Sequence, residues 1–184
     1  MPIQTPTVLT TERLTLRWHD ERDVAAQFAI FSDPGVTRYW SGAAWTDMAQ
    51  GEAWIARTLE MYRDGTGLPL GVELTATSEM IGNVNLHRFF EQNRRCELGY
   101  AFASPHWGHG YATEALTALL EYGFGELGLN RVEADIDPRN LASARVLERL
   151  GFRKEGYMPE RWIVNGETAD TVYYGLLKRY WDER

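Results

Sequence analysis

The chain has 184 residues, 44% hydrophobic and 24% charged, with seven tryptophans. That composition fits one compact domain over 1–184 with a sizeable core and argues against intrinsic disorder. Nineteen basic side chains against 26 acidic ones leave a formal net charge of −7, so the average surface repels nucleic-acid phosphates and suits a cationic partner. A lone Cys96 excludes an intrachain disulfide and a Cys-rich zinc site and fits the reducing cytoplasm, and neither a basic-then-apolar leader in residues 1–13 nor a membrane-length apolar run is present.

In chain order, residues 14–18 alternate apolar and polar with the period of a half-buried strand. Asp20 can cap a following helix with Asp23 in its first turn and Val24, Phe28 and Phe31 on one face, broken at Asp33-Pro34-Gly35. A second helix carries Trp54, Ile55, Leu59 and Tyr62 and closes at Asp64-Gly65. Period two then returns over 68–75, 80–86 and 96–103, an antiparallel meander turning at Thr77-Ser78-Glu79. Residues 110–127 read as an amphipathic helix with Ala112, Ala115, Leu116, Leu119, Leu120 and Gly123 along one side. After it come a strand at 131–136, a helix at 141–150, and strands at 152–157 and 171–177. The mixture predicts an α/β sheet with helices on both faces.

The most informative stretch is Trp107-Gly108-His109-Gly110-Tyr111-Ala112, between a strand and an amphipathic helix. Two glycines permit a sharp turn and close approach of a ligand, and the first helical N–H groups have no intrahelical acceptor. With the helix dipole they can hold a phosphate or pyrophosphate without a side-chain cation. The turn carries neither a Gly-Lys-Ser/Thr P-loop nor a dinucleotide fingerprint, which turns the reading away from nucleoside triphosphates and NAD. Glycines that serve only a turn are the plain alternative.

Three motifs together resemble the GNAT superfamily of acyl-CoA-dependent N-acyltransferases, in the branch with the Rim-type ribosomal-protein N-terminal acetyltransferases. They are the turn and helix Trp107-Gly108-His109-Gly110-Tyr111-Ala112-Thr113-Glu114-Ala115, the segment Asn140-Leu141-Ala142-Ser143 through Gly151-Phe152, and the opening Thr11-Glu12-Arg13-Leu14-Thr15-Leu16-Arg17. The resemblance implies a mixed α/β (α+β) sheet splayed between the fourth and fifth predicted strands, 95–103 and 131–136. Acetyl-CoA would be wedged in the gap as co-substrate, with no metal. Phe102 and Ala103 would offer backbone bonds to the pantetheine arm, Trp107, Gly108, His109, Gly110, Tyr111 and Ala112 would hold the pyrophosphate, and Asn140 would bond the pantetheine amide. Trp107 stands where many members have Gln or Arg, so backbone amides carry more of that binding, helped by His109 if it is protonated.

Acetylation needs a neutral amine, and α-amines and lysines are partly or mostly protonated near pH 7. A base, an oxyanion donor and an acid for the leaving thiolate are therefore required. A regular strand puts Glu97, Gly99 and Ala101 on one face, so Glu97 sits beside small residues with room for a ligand and is the expected base. Its structural alternative is an ion pair with Arg95 or Arg88. The tyrosine acid of many members matches Leu147 here, which leaves Ser143, one turn after Asn140, as the hydroxyl nearest the thioester. Simple helix capping by Asn140, or by Asp137 ahead of Pro138, is the alternative for that segment. Cys96 faces away from Glu97 and reads as a buried structural thiol. His106 and His109 lack a third metal ligand, while His19 and His87 read as strand-end residues with surface or packing roles. Tyr39, Trp40 and Trp45, near Ser41-Gly42, are candidates for the wall of an acceptor groove that Asp170 also lines, and Trp54 reads as core.

The expected function is direct acetyl transfer to an amine acceptor: a peptide or protein N-terminus, or a small-molecule amine. Direct nucleic-acid or membrane binding is not expected. A non-catalytic acyl-CoA-binding module and a scaffold protein are the rivals; thiol release and CoA binding separate the three.

Overall fold

The computed structural model describes residues 6–184; residues 1–5, part of the expected 1–184 span and of the 1–13 stretch read above, lie outside the described residues. One eight-stranded sheet organises the chain in the order β1-β2-β3-β4-β5-β6-β8-β7, with β1 Val8–Thr10, β2 Leu14–Trp18, β3 Gly67–Leu74, β4 Glu79–Phe90, β5 Arg95–Phe102, β6 Arg131–Ile136, β7 Arg153–Val164 and β8 Glu167–Leu177. Every neighbouring pair is antiparallel except β5 and β6.

The helices are α1 Val24–Phe31, α2 Pro34–Thr37, α3 Met48–Asp64, α4 Tyr111–Gly125, α5 Leu141–Arg149 and α6 Lys178–Asp182. Asp20 caps a single 3₁₀ turn, with Asp23 reciprocating, before α1 begins. Asp47 and Gln50 form a second capping box at α3, which ends on Gly65 at φ 64°. The faces of the sheet are clothed differently. On one, Ile30 and Phe31 of α1 and Val36 of α2 pack against Ala101. On the other, the buried stripe of α4, including Leu116, Leu119 and Leu120, joins Cys96, Leu98, Phe102, Val132 and Ala134 in the main core. Each such buried leucine stabilises the fold by about 1.5–3 kcal/mol relative to exposure.

Several elements depart from the sequence expectation, among them the short helices α2 and α6. β1 was not anticipated. β4 runs four residues past Leu86 through a bulge between His87 and Phe90, where Arg88 sits at φ 51°. β7 and β8 form one long hairpin turning at Asn165 (φ 52°) and Gly166 (φ 85°), instead of two short strands; two positive φ angles at Asn-Gly are the demand of a type I′ turn.

Candidate active site

The sheet opens where the resemblance implied. β5 and β6 pair only through Arg95↔Arg131, Cys96↔Val132 and Glu97↔Glu133, after which β6 continues on β8 alone. Arg95 and Arg131 both bond Glu133, each at 2.7 Å, and tie the closed end of the gap. Beyond Glu97 the backbone direction of β5 follows from one bond: the Ala103 N–H donates to Ile81 O at 2.9 Å. Antiparallel alternation with the register Phe102↔Gly82 then turns the polar groups of Tyr100 and Phe102 away from β4, into the gap. The Phe102 carbonyl is taken by the Trp107 indole N–H at 2.7 Å. Of the backbone groups expected to meet the pantetheine arm, the Phe102 N–H is left, while the Ala103 N–H is committed to β4. That indole bond also gives Trp107 a role the sequence did not indicate.

At one mouth of the gap lies the glycine turn. Gly108 and Gly110 sit at φ 80° and 82°, a region open to glycine and strained for other residues. A Cβ at Gly108 would meet nothing within 4 Å, and one at Gly110 only Arg13 Nη2 at 3.6 Å. The turn is an open, exposed cradle. The helix begins at Tyr111 with no side-chain cap, so its first amides are free of intrahelical acceptors. His109 stacks on Tyr111 with ring centroids 5.6 Å apart. Arg13 braces the turn: its guanidinium pairs with Glu114 at 2.6 Å, donates to His109 O at 3.1 Å and lies 4.6 Å from the Tyr111 ring centroid. Thr11 and Arg13, in the link between β1 and β2, therefore serve the turn and its helix from elsewhere in the chain.

Where β5 and β6 part, the gap opens into a cleft of about 450 Å³. Strand register sorts its side chains by face. Glu97 shares a face with His87 directly opposite on β4, and with Asp135 on β6. Ser143 lies on the other side, where its hydroxyl is 2.5 Å from the Tyr100 hydroxyl. Burial pushes the Tyr100 phenol up to about 12 while the Ser143 bond opposes it, so Tyr100 stays a proton donor at neutral pH. A carboxylate and a hydroxyl pair thus face one opening from opposite sides of the sheet.

Glu97 is one-fifth exposed and its Oε2 accepts from Arg88 Nη1 at 2.9 Å; the bulge at Arg88 lets a residue next to His87 reach the same carboxylate. Arg95 takes Glu133 instead. Asp135 has its carboxyl raised, first by burial and then by the charge of Glu97. Asn140 caps α5, its side-chain oxygen accepting from Ser143 N at 3.1 Å, which leaves its NH₂ for a ligand. Leu147 is fully buried in the core and holds no place in the cleft.

Tyr39 and Trp40 line the cleft, but Trp45 does not: it packs on Phe31 with ring centroids 4.6 Å apart. A loop position near a glycine was the reason to expect it in the groove; the apolar face of α1 claims it instead. Asp170 reaches the cleft while accepting from the Tyr157 hydroxyl and from Glu160 N. Cys96 is buried, its thiol pushed up to about 12 by desolvation. His106 pairs with Glu79 at 3.1 Å. His87 is no strand-end residue: it lies inside β4 and lines the cleft. The ion pair of Glu97 with Arg88 is one of the two the sequence offered; without the register, no pattern along the chain would have put His87 beside Glu97.

Comparison with known proteins is consistent with this geometry. A family model described as an acetyltransferase (GNAT) domain matches residues 13–153. The chain is 36% identical over 171 residues to YoaA of Bacillus subtilis (strain 168), named an uncharacterized N-acetyltransferase, covering 93% of this chain and 97% of that one. It is 28% identical over 178 residues to the [ribosomal protein uS5]-alanine N-acetyltransferase of Escherichia coli (strain K12), covering 94% and 92%. A crystal structure of spermidine N-acetyltransferase from Vibrio cholerae, in complex with CoA and spermine, shares the fold at a TM-score of 0.83 and 22% identity, covering 93% of this chain and 99% of that one. With its splayed sheet, its open glycine cradle and the family match over most of its length, the chain is a member of the GNAT family of N-acetyltransferases.

Proposed function

We propose that this N-acetyltransferase moves acetyl from acetyl-CoA directly to a primary amine, and that its acceptor is the α-amine of a peptide or protein N-terminus. The observation that carries the reading is the opposition of Glu97 to the Ser143–Tyr100 pair across an opening in the sheet. An amine entering past Tyr39 and Trp40 meets the Glu97 carboxylate, whose second oxygen Arg88 leaves free. A leaving thiolate on the other face meets the Ser143 hydroxyl, backed by Tyr100.

The cradle fits a diphosphate: two positive-φ glycines with open space above them and helix amides without acceptors. When bound, the cofactor supplies an activated acetyl thioester. Gly108, His109, Gly110, Tyr111 and Ala112 would hold its diphosphate, the Phe102 N–H and the Asn140 side chain its pantetheine arm. Glu97 draws the proton from the ammonium, and Ser143 gives one to the thiolate. No cysteine takes part, because the one thiol is buried, protonated and turned to the opposite face from Glu97.

The α-amine is favoured over lysine and polyamines on two grounds. Its lower pKa asks less of a carboxylate base, and the relative acting on a ribosomal-protein alanine aligns over nearly the whole chain. The deciding experiment incubates the protein with acetyl-CoA and, in turn, an alanine-ended peptide, the same peptide α-blocked with an internal lysine, and a polyamine, reading thiol release and the acetylated nitrogen by mass spectrometry. Transfer confined to the α-nitrogen is expected; transfer to lysine or polyamine alone overturns the acceptor assignment.

A further inference from the structure

His87 is a titratable group on the acceptor face, directly opposite Glu97, that the scheme above leaves unused. It stands opposite Glu97 in a hydrogen-bonded antiparallel pair, where facing Cα atoms lie about 5.5 Å apart and both side chains rise on one face. Its ring lies over Gly99: a Cβ built there would be 3.6 Å from His87 Nε2. The ring lines the cleft. Around it stand Arg88 on its own strand, Glu97 on β5 and Asp135 on β6, with Arg38 and Tyr39 brought to the same cleft by the loop after α2.

We propose that His87 is a second catalytic residue, the group on which the proton drawn from the amine comes to rest. An α-ammonium titrates near about 7.8 and a glutamic acid near about 4.3, so a carboxylate alone is a poor resting place for that proton, and a neutral imidazole facing it offers a second acceptor. Burial lowers the His87 imidazole, opposed by the charges of Glu97 and Asp135, so the ring is neutral and able to accept at neutral pH. The ammonium N–H bond breaks as Glu97 Oε1 takes the proton. That O–H bond then breaks as an imidazole N–H forms, and the imidazolium, facing Glu97 and Asp135, releases the proton to water in the cleft. The second proton lost by the nitrogen leaves on the thiol, so one proton is released per acetyl transferred.

This inference rests on the proposed acetyl transfer. A wild-type protein that binds acetyl-CoA but acetylates no amine fails that reading before His87 is in question, whereas an active wild type indifferent to substitution at His87 fails this inference alone. The experiment is kinetics of the full chain with acetyl-CoA and an alanine-ended peptide across about pH 5 to 9, for wild type, His87→Gln and His87→Ala. Both variants should lose ~10²-fold in kcat at pH 7 with CoA affinity unchanged, and should lose the imidazole limb of the pH profile. Added imidazole should restore part of the His87→Ala rate. A folded His87→Gln with the wild-type rate and profile overturns the proposal, as does His87→Ala unmoved by imidazole. Should neither variant fold, NMR titration of the His87 ring in the wild type decides. A ring titrating together with the acid limb of kcat/KM supports the proposal, and one that stays neutral through that limb overturns it.

Discussion

Replacing Gly110 separates the cradle's geometry from its occupancy. Gly110 sits at φ 82°, and a methyl there would touch only Arg13 Nη2 at 3.6 Å, an ordinary contact. Gly110→Ala should therefore bear backbone strain alone, about 1–2 kcal/mol, a fall of roughly 2–8 °C in melting temperature for a chain of this size. Gly110→Trp bears the same strain and also fills the space over the helix amides. If two charge-assisted amide–phosphate bonds are lost at about 1.5–3 kcal/mol each, CoA affinity drops about 10²- to 10⁴-fold. Calorimetry against CoA and against pantetheine, which lacks the diphosphate, reads the two effects apart: Gly110→Trp should lose CoA affinity and keep pantetheine affinity. A Gly110→Trp protein that melts like Gly110→Ala and binds CoA as the wild type does would refute the amide cradle.

Glu97→Gln should lower kcat about 10²- to 10⁴-fold with CoA affinity unchanged, measured by thiol release and calorimetry. Ser143→Ala should cost about 10²-fold with acetyl-CoA and much less with an acetyl thioester of a more acidic thiol, since a stable thiolate needs no acid; Tyr100→Phe should follow the same trend more weakly. Asp23 tests stability away from the cleft. Burial works to raise its carboxyl, yet hydrogen bonds from His19 and Arg17 prevail and hold it well below the usual range. Asp23→Asn should cost about 3–5 kcal/mol at pH 7, roughly 6–20 °C in melting temperature. Because the folded carboxyl is lowered, that contribution is complete above the unfolded value of about 3.9 and is lost as pH falls below it, so wild-type and Asp23→Asn melting temperatures should converge in acid.

What was legible in the sequence follows the reach of local signals. The buried stripe of α4 and the alternation of β2 are written in spacing, and both appear with the expected faces. β1 is three residues long, too short to show a period. β7 is exposed along most of its length, so it has no alternation to read; the Asn165-Gly166 pair between it and β8 was the available signal, a demand for two positive φ angles. At the cleft, the faces of Glu97 and Tyr100 follow from position along one strand. Their partners Arg88, His87, Asp135 and Ser143 come from other elements, brought together by register, by a bulge and by the divergence of β6. Trp45 shows the opposite failure: an aromatic on a loop suits a groove or a core equally, and only the neighbouring Phe31 decides.

Direct transfer at the splay is tested most closely by one assay: acetyl-CoA and an alanine-ended peptide, with thiol release counted against acetylated α-nitrogen. One thiol released for each acetylated α-amine, with no acetyl found on the protein, is the outcome of Glu97 and Ser143 acting across the opening. Tight binding of acetyl-CoA with neither thiol nor acetyl-peptide formed, for any amine offered, would contradict it and leave the chain a cofactor-binding module.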